Sequence, residues 1–277
     1  MRDAAPSEDT LLTPDDPAPF RIVAPGATAA ILVVCDHAAN AVPRRLEALG
    51  LPAAELGRHI GLDLGAEAVA RGLAARLDAQ AVLASFSRLV IDANRALDDP
   101  SAIAEISDGT VVPGNAGLDA RARAARAEAI YWPYHRAIAA ALDGFAARGV
   151  VPALVSVHSF TPRLAGVARP WHIGVLWNRD PRLPVPLLAA LRRRSALVVG
   201  DNEPYSAREP TDFTIPHHAE ARGLPHVTLE IRQDEIDSEQ GAARYADLTA
   251  QALAPILADP ALHAQPRQPR QSPKGSS

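Results

Sequence analysis

Two histidines and one glutamate stand where a fold could turn them into a hydrolytic site. His37 closes the run Ile31-Leu32-Val33-Val34-Cys35-Asp36, and His158 closes Ala153-Leu154-Val155-Ser156-Val157. Both runs read as buried strands, and open α/β sheets bind ligands in the crevice at the carboxyl ends of their strands. Two imidazoles delivered there from distant segments suit a metal ion. A third apolar run, Val227-Thr228-Leu229, ends in Glu230, a base for an activated water. Partial burial would raise its pKa toward neutrality and improve it as a base.

A catalytic zinc site takes three protein ligands and leaves one position open. The chain has one cysteine, so the third ligand must be a carboxylate. Asp63, in His59-Ile60-Gly61-Leu62-Asp63-Leu64-Gly65, is the first choice, with Asp36 and Glu67 as alternatives. An Asp at a helix start also serves as a cap, and that role competes with ligation. His59 reads as a polar residue leading into the helix rather than a ligand.

Further polar clusters suit substrate binding. In Ser87-Arg88-Leu89-Val90-Ile91-Asp92-Ala93-Asn94-Arg95, strand alternation puts Arg88, Val90 and Asp92 on one side. Arg88 or Arg95 can grip a substrate carboxylate bidentately, with Asn94 between them; an Arg88–Asp92 ion pair is the structural alternative. Asn202, in Gly200-Asp201-Asn202-Glu203-Pro204-Tyr205, follows a strand at the same edge, or simply makes a turn. Arg232 shares a face with Glu230 and is a second candidate contact or an ion-pair partner.

Other chemistries are excluded or unsupported. There is no Gly-x-Ser-x-Gly elbow and no glycine-rich phosphate loop. Cys35 reads as a small core residue, and a lone cysteine forms no disulfide within the chain. The net charge of −4 excludes a broadly basic nucleic-acid surface, and Arg192-Arg193-Arg194 reads as a solvated helix end. No apolar run approaches a membrane span, and Met1 to Ala18 is acidic and proline-rich rather than signal-like. A cytoplasmic protein with no membrane partner is expected.

The positioning elements alternate. Strands are expected at 31–35, 81–86, 88–92, 153–158, 172–177, 196–199 and 226–231. Helices are expected at 43–49, 62–77, 119–147 with a kink or restart at Pro133, 184–194, near 210–222 and at 238–257. Residues 97–118 read as a long loop of the kind that is more often functional than structural. Strand–helix alternation implies a largely parallel sheet with helices on both faces. Residues 19–262 read as one catalytic domain, between flexible tails at 1–18 and 263–277.

Taken in order, these segments resemble the N-formylglutamate amidohydrolase family. The likeness runs from about residue 20 to 257 and rests on Asp36-His37-Ala38-Ala39-Asn40, His59 to Gly65, Ser87 to Arg95, Tyr131 to His135, Val157 to Pro162, Asp201 to Tyr205 and Glu230-Ile231-Arg232-Gln233-Asp234. The resemblance implies a three-layer α/β/α sandwich with a mostly parallel mixed sheet, similar to zinc-dependent exopeptidases. It implies a hydrolase acting on the linear amide of an N-acyl amino acid, typically N-formyl-L-glutamate, with one Zn²⁺ per chain. It puts the metal histidines on His37 and His158 and the carboxylate base on Glu230. The run before His37 departs from the family's usual Ser-x-Pro-His-x-Gly, so the metal chemistry carries over better than the substrate. The alternatives are a zinc peptidase or deacylase for another acyl group, a non-haem iron(II) oxygenase, since two histidines and a carboxylate also suit that metal, and a small-ligand binding protein.

Overall fold

The computed structural model describes residues 10–208 and 211–264; the outer parts of both expected tails, 1–9 and 265–277, lie outside the described residues. One sheet is built from β1 (Phe20–Val23), β2 (Ile31–Cys35), β3 (Gln80–Ala84), β4 (Ala153–Phe160), β5 (Ile173–Leu176), β6 (Val199–Asp201) and β7 (His226–Arg232). Their spatial order is β1-β3-β2-β4-β7-β5-β6. The four strands β3, β2, β4 and β7 run parallel. Strand β1 is antiparallel at one edge, and β5 and β6 run together antiparallel to β7. This is the mixed, mostly parallel sheet expected from the sequence.

Helices α1 (Ala66–Leu77), α2 (Trp132–Ala147), α3 (Pro184–Arg192), α4 (Thr214–His218) and α5 (Glu239–Leu257) supply the outer layers. Strand alternation sorts the core between them. Ile31 and Val33 face Val69, Leu73, Leu187 and Leu253 of α1, α3 and α5. Leu32 and Val34 face Ile138, Leu142, Phe145 and Ile215 of α2 and α4. Burial on both faces explains why these strands are continuous apolar runs.

A third apolar cluster includes Leu49, Phe86, Leu89, Val90, Ile91 and Tyr131. It changes the reading of residues 88–92, which form turns rather than the expected strand. Val90 and Ile91 are drawn into this cluster, while Ser87 Oγ donates to Gly61 O and accepts from the Leu89 N–H. The 97–118 segment is also structured. It holds a 3₁₀ turn at Pro100–Ile103, a small hairpin pairing Ile106–Ser107 with Thr110–Val111, and a turn at Pro113–Asn115. Buried Asn115 donates to Leu89 O and Ala104 O; buried Arg126 donates to Val90 O, Gly114 O and Asn115 Oδ1. The long loop is thus the scaffold beneath residues 88–95.

The expected 119–147 helix is divided into Ala120–Arg126, a π-helical turn at Ala127–Tyr131, and α2, whose first turn contains Pro133. The π turn accommodates the proline: the Trp132 N–H reaches back five residues to Ala127 O, so the ladder is already opened where Pro133 has no N–H to give. Near 210–222 the helix is only α4 plus a 3₁₀ turn at Glu220–Arg222. The described pieces of the expected tails are held in place. Leu11 and Leu12 pack on the third cluster, Asp16 accepts from the Arg44 N–H, and His263 pairs with Val151 O and Leu257 O.

Candidate active site

The register of the sheet aligns the chemistry. Glu230 on β7 sits opposite His158 on β4 and opposite Gly174 on β5. A side chain at 174 is excluded, since a Cβ there would lie 2.0 Å from Glu203 O. From β2 the chain turns through Asp36 and His37, and His37 O accepts the Asp63 N–H at 3.0 Å. Gly65, at φ 77°, then opens α1, and a Cβ on it would meet Ile236 O at 2.2 Å. Asp63 is therefore held before the helix with its side chain turned into the site. Its Oδ2 lies 2.8 Å from His158 Nδ1 and 3.4 Å from His37 Nδ1, and accepts the Ser159 N–H at 3.3 Å.

His37, Asp63 and His158 are all buried, and one ligand atom from each lies within 4.8 Å of the others. The outer nitrogens of both rings are already taken. His158 Nε2 is 3.1 Å from Asp36 Oδ2, and His37 Nε2 is 2.7 Å from Asp92 Oδ1. Asp36 is itself fixed by donation from Tyr134 Oη at 2.7 Å and Thr214 Oγ1 at 2.8 Å. A carboxylate behind each imidazole sets its orientation and strengthens it as a donor, as in metal sites where histidines are backed in this way. The donor set thus fits a divalent metal, with both Nδ1 atoms and Asp63 converging. Asp36, an alternative third ligand from the sequence, stands behind His158. Glu67, the other, is bound to Arg21 and Arg71, and His59 lies 3.3 Å from Asp108.

The electrostatics follow from this packing. Burial opposes the charged form of His158, but its hydrogen bonds to the Asp36 and Asp63 carboxylates outweigh it and hold the imidazole's pKa well above its ordinary value. For His37, burial and Arg88 push down, while Asp92 and Asp63 push up and prevail. Asp36 is driven to about 2, against its burial, by His158. Asp63 is held well below the carboxylate range, against burial, by Arg88 and His37. Arg88 Nη2 lies against His37 Nδ1 and 3.3 Å from Asp63 Oδ1, so a metal ion and this guanidinium would share acceptors. Glu230 is the opposite case: burial pushes its carboxyl up to about 8, with Asp63 adding to the effect. Glu230 Oε2 and Arg88 Nε are both buried without a hydrogen-bond partner among the described residues.

These groups line a cavity of about 170 Å³ with Asn94, Arg95, Tyr205 and Asp212. Asn94 Oδ1 accepts the Phe213 and Thr214 N–H groups at 3.0 Å each, tying the 88–95 turn to α4. Arg95 Nη1 donates to Asp212 Oδ1 at 2.8 Å. Two residues anticipated as substrate contacts do not line this cavity. Arg232 donates to Asp234 and Glu235, and Asn202 Oδ1 accepts the Trp177 and Ala207 N–H groups within its turn. The part played by Asp92 behind His37 was not anticipated, nor were Tyr205 and Asp212 as lining residues. Arg169 donates to Tyr205 Oη at 3.1 Å and lies over its ring.

Sheet, cavity and buried polar cluster define the class: an α/β sandwich with a buried His-Asp-His group that could hold a metal. The chain belongs to the N-formylglutamate amidohydrolase family, whose model matches residues 29–236. That family comprises hydrolases of linear amides, so the chain is an amidohydrolase. Gene product Atu2144 from Agrobacterium tumefaciens is similar over 89% of this chain and 99% of its own, at 36% identity and a TM-score of 0.84. N-formylglutamate amidohydrolase from Ralstonia eutropha JMP134 shares the fold, at 21% identity and a TM-score of 0.59 over 87% of this chain and 97% of its own. No curated protein matches the chain. Among the described residues no helix is long and apolar enough to cross a membrane.

Proposed function

We propose that this chain is a zinc-dependent hydrolase of N-acyl amino acids and that N-formyl-L-glutamate, giving L-glutamate and formate, is the substrate to test first. The observation that carries this reading is the pairing of two carboxylate-backed imidazoles and Asp63 with an unpartnered buried carboxyl, Glu230, in one cavity. His37, Asp63 and His158 would hold the metal, one ion per chain. Zinc bound by such a set supplies Lewis acidity, polarising an acyl carbonyl and lowering the pKa of water toward ~7.

The chain's own groups do the rest. Glu230, raised to about 8 by burial, would accept a proton from the attacking water and deliver it to the departing amine nitrogen. Arg88, which lines the cavity and whose Nε makes the expected ion pair with Asp92 Oδ2 at 3.9 Å, would bind the substrate's carboxylate through its guanidinium. Asp36 and Asp92 keep both rings oriented. Tyr205 Oη accepts from Arg169, which leaves its own proton to donate into the cavity.

Formate release from N-formyl-L-glutamate, assayed on wild type and on Glu230→Gln, tests the reading. Glu230→Gln should keep its metal and lose activity by about 10²–10⁴-fold, the range for a lost general base. A Glu230→Gln enzyme with full activity would refute it.

A further inference from the structure

We infer that the start of α4 is a common brace for both histidines of the metal-binding set, and that Thr214 and Asn94 are positioning residues for that site, each acting through a carboxylate rather than on a ring. The inference rests on the metal-dependent reading above and deepens it.

The two rings are backed by different carboxylates. His158 Nε2 lies 3.1 Å from Asp36 Oδ2, and His37 Nε2 lies 2.7 Å from Asp92 Oδ1. A carboxylate contacted at one point still pivots about its Cβ–Cγ bond, because that torsion is soft. Its other partners therefore decide how firmly it orients a ring.

Thr214 serves both carboxylates with different groups. Its hydroxyl donates to Asp36 Oδ1 at 2.8 Å, the oxygen turned away from His158. Its N–H and that of Phe213 donate to Asn94 Oδ1 at 3.0 Å each, and the Phe213 N–H also reaches Asn94 O at 3.1 Å. The Asn94 N–H in turn donates at 2.8 Å to Asp92 Oδ1, the same oxygen that meets His37. One residue thus sends its hydroxyl toward one imidazole and its amide toward the other.

Burial gives these links weight. Thr214, Asn94 and Asp36 are all buried, so water does not readily replace a lost partner. The Thr214–Asp36 and Thr214–Asn94 contacts span 178 and 120 residues, so they join three distant parts of the chain. The two arms are also coupled. Removing the Asn94 side chain frees the Phe213 and Thr214 N–H groups, and the Thr214 hydroxyl sits on the segment that this loosens. Groups in one hydrogen-bond network lose their effects together rather than independently.

The test is zinc affinity of the full chain, read by competition with a chelator of known affinity, with thermal melts confirming that each variant is folded. Thr214→Val keeps the shape and deletes the hydroxyl; it should weaken zinc binding by about tenfold, the low end for a lost orienting partner. Thr214→Ser restores the hydroxyl and should bind like wild type. Asn94→Ala should lose about tenfold or more, and adding Thr214→Val to it should cost at most about threefold further, against about tenfold for independent arms. If Asn94→Ala fails to fold, the Thr214→Val and Thr214→Ser pair decides alone. Wild-type affinity in folded Thr214→Val, equal losses in Thr214→Val and Thr214→Ser, or losses that multiply in the double variant would overturn the inference and leave the metal reading intact. A wild-type protein that binds no zinc would sink both.

Discussion

The protein buries one histidine pair at the carboxyl edge of the sheet and another beneath α4, and the two are built in opposite ways. His37 and His158 meet edge to face with ring centroids 5.0 Å apart, and each has its outer nitrogen on a carboxylate. His135 and His218 stack at 5.2 Å, with His135 Nδ1 3.0 Å from His218 Nε2 and His135 Nε2 donating to Ala93 O. Tyr131 and Phe213 close around them. Burial opposes charge in all four rings, yet the outcomes diverge. His135 falls to about 4 and His218 to about 3, while His37 and His158 rise. Asp36 contributes at both places, but only His158 touches it. Carboxylate contact, rather than burial or histidine content, separates a pair fit for a cation from a pair that is packing material.

Single substitutions should separate the pairs most sharply. His158→Ala should remove the metal and activity by about 10³-fold or more, because it deletes a ligand and strands Asp36 and Asp63 as buried charges. His135→Ala should cost about 1–3 kcal/mol of stability through its lost hydrogen bonds, while the folded enzyme keeps its metal. Metal stoichiometry and thermal melts on both variants measure this; metal loss from His135→Ala would erase the distinction.

Next come the carboxylates behind the rings. Asp36→Asn and Asp92→Asn should each weaken metal affinity by about 10–100-fold, the usual effect of losing such a partner. Competition with a chelator of known affinity reads this out, and unchanged affinity in both would mean that the backing carboxylates are only structural.

Glu230 gives two further effects. As a base it works deprotonated, so kcat/KM should rise with pH. Its apparent pKa should lie above the ordinary glutamate range and at or below about 8, because a cation nearby favours the charged form. The stability sign follows from the same shift. With its folded pKa raised above the unfolded ~4.3, Glu230 favours folding most below that value, and this contribution is lost as pH rises through about 8. In metal-free protein, Glu230→Gln should therefore raise Tm at pH 8–9 and change it little near pH 4. A variant less stable than wild type at pH 9 would mean the carboxyl is better solvated than its burial implies.

Much of the site was legible because strands announce their ends. Ile31–Cys35, Ala153–Phe160 and His226–Arg232 are apolar runs that each deliver a polar side chain at one sheet edge, so His37, His158 and Glu230 were found from the sequence. Asp63 was harder, because a helix start offers an aspartate two roles, and only the turn at Gly65 aims it inward. Strand alternation overreached at Arg88 to Asp92, where burial of Val90 and Ile91 beside the sheet wins over strand pairing. It also put Arg232 on the face of Glu230 without revealing that Asp234 and Glu235, close by in the chain, would capture it. The Asp36–His158 and Asp92–His37 contacts span 122 and 55 residues, and no local pattern encodes such pairings.

On the proposed mechanism, the carboxylate-backed cluster holds the metal on which amide hydrolysis depends. Elemental analysis of the purified protein, with formate release followed before chelation, after it and after zinc is restored, tests this most directly. About one zinc per chain is expected, with activity lost when the metal is removed and recovered when it is restored. Undiminished hydrolysis by a chelated, metal-free protein would contradict it.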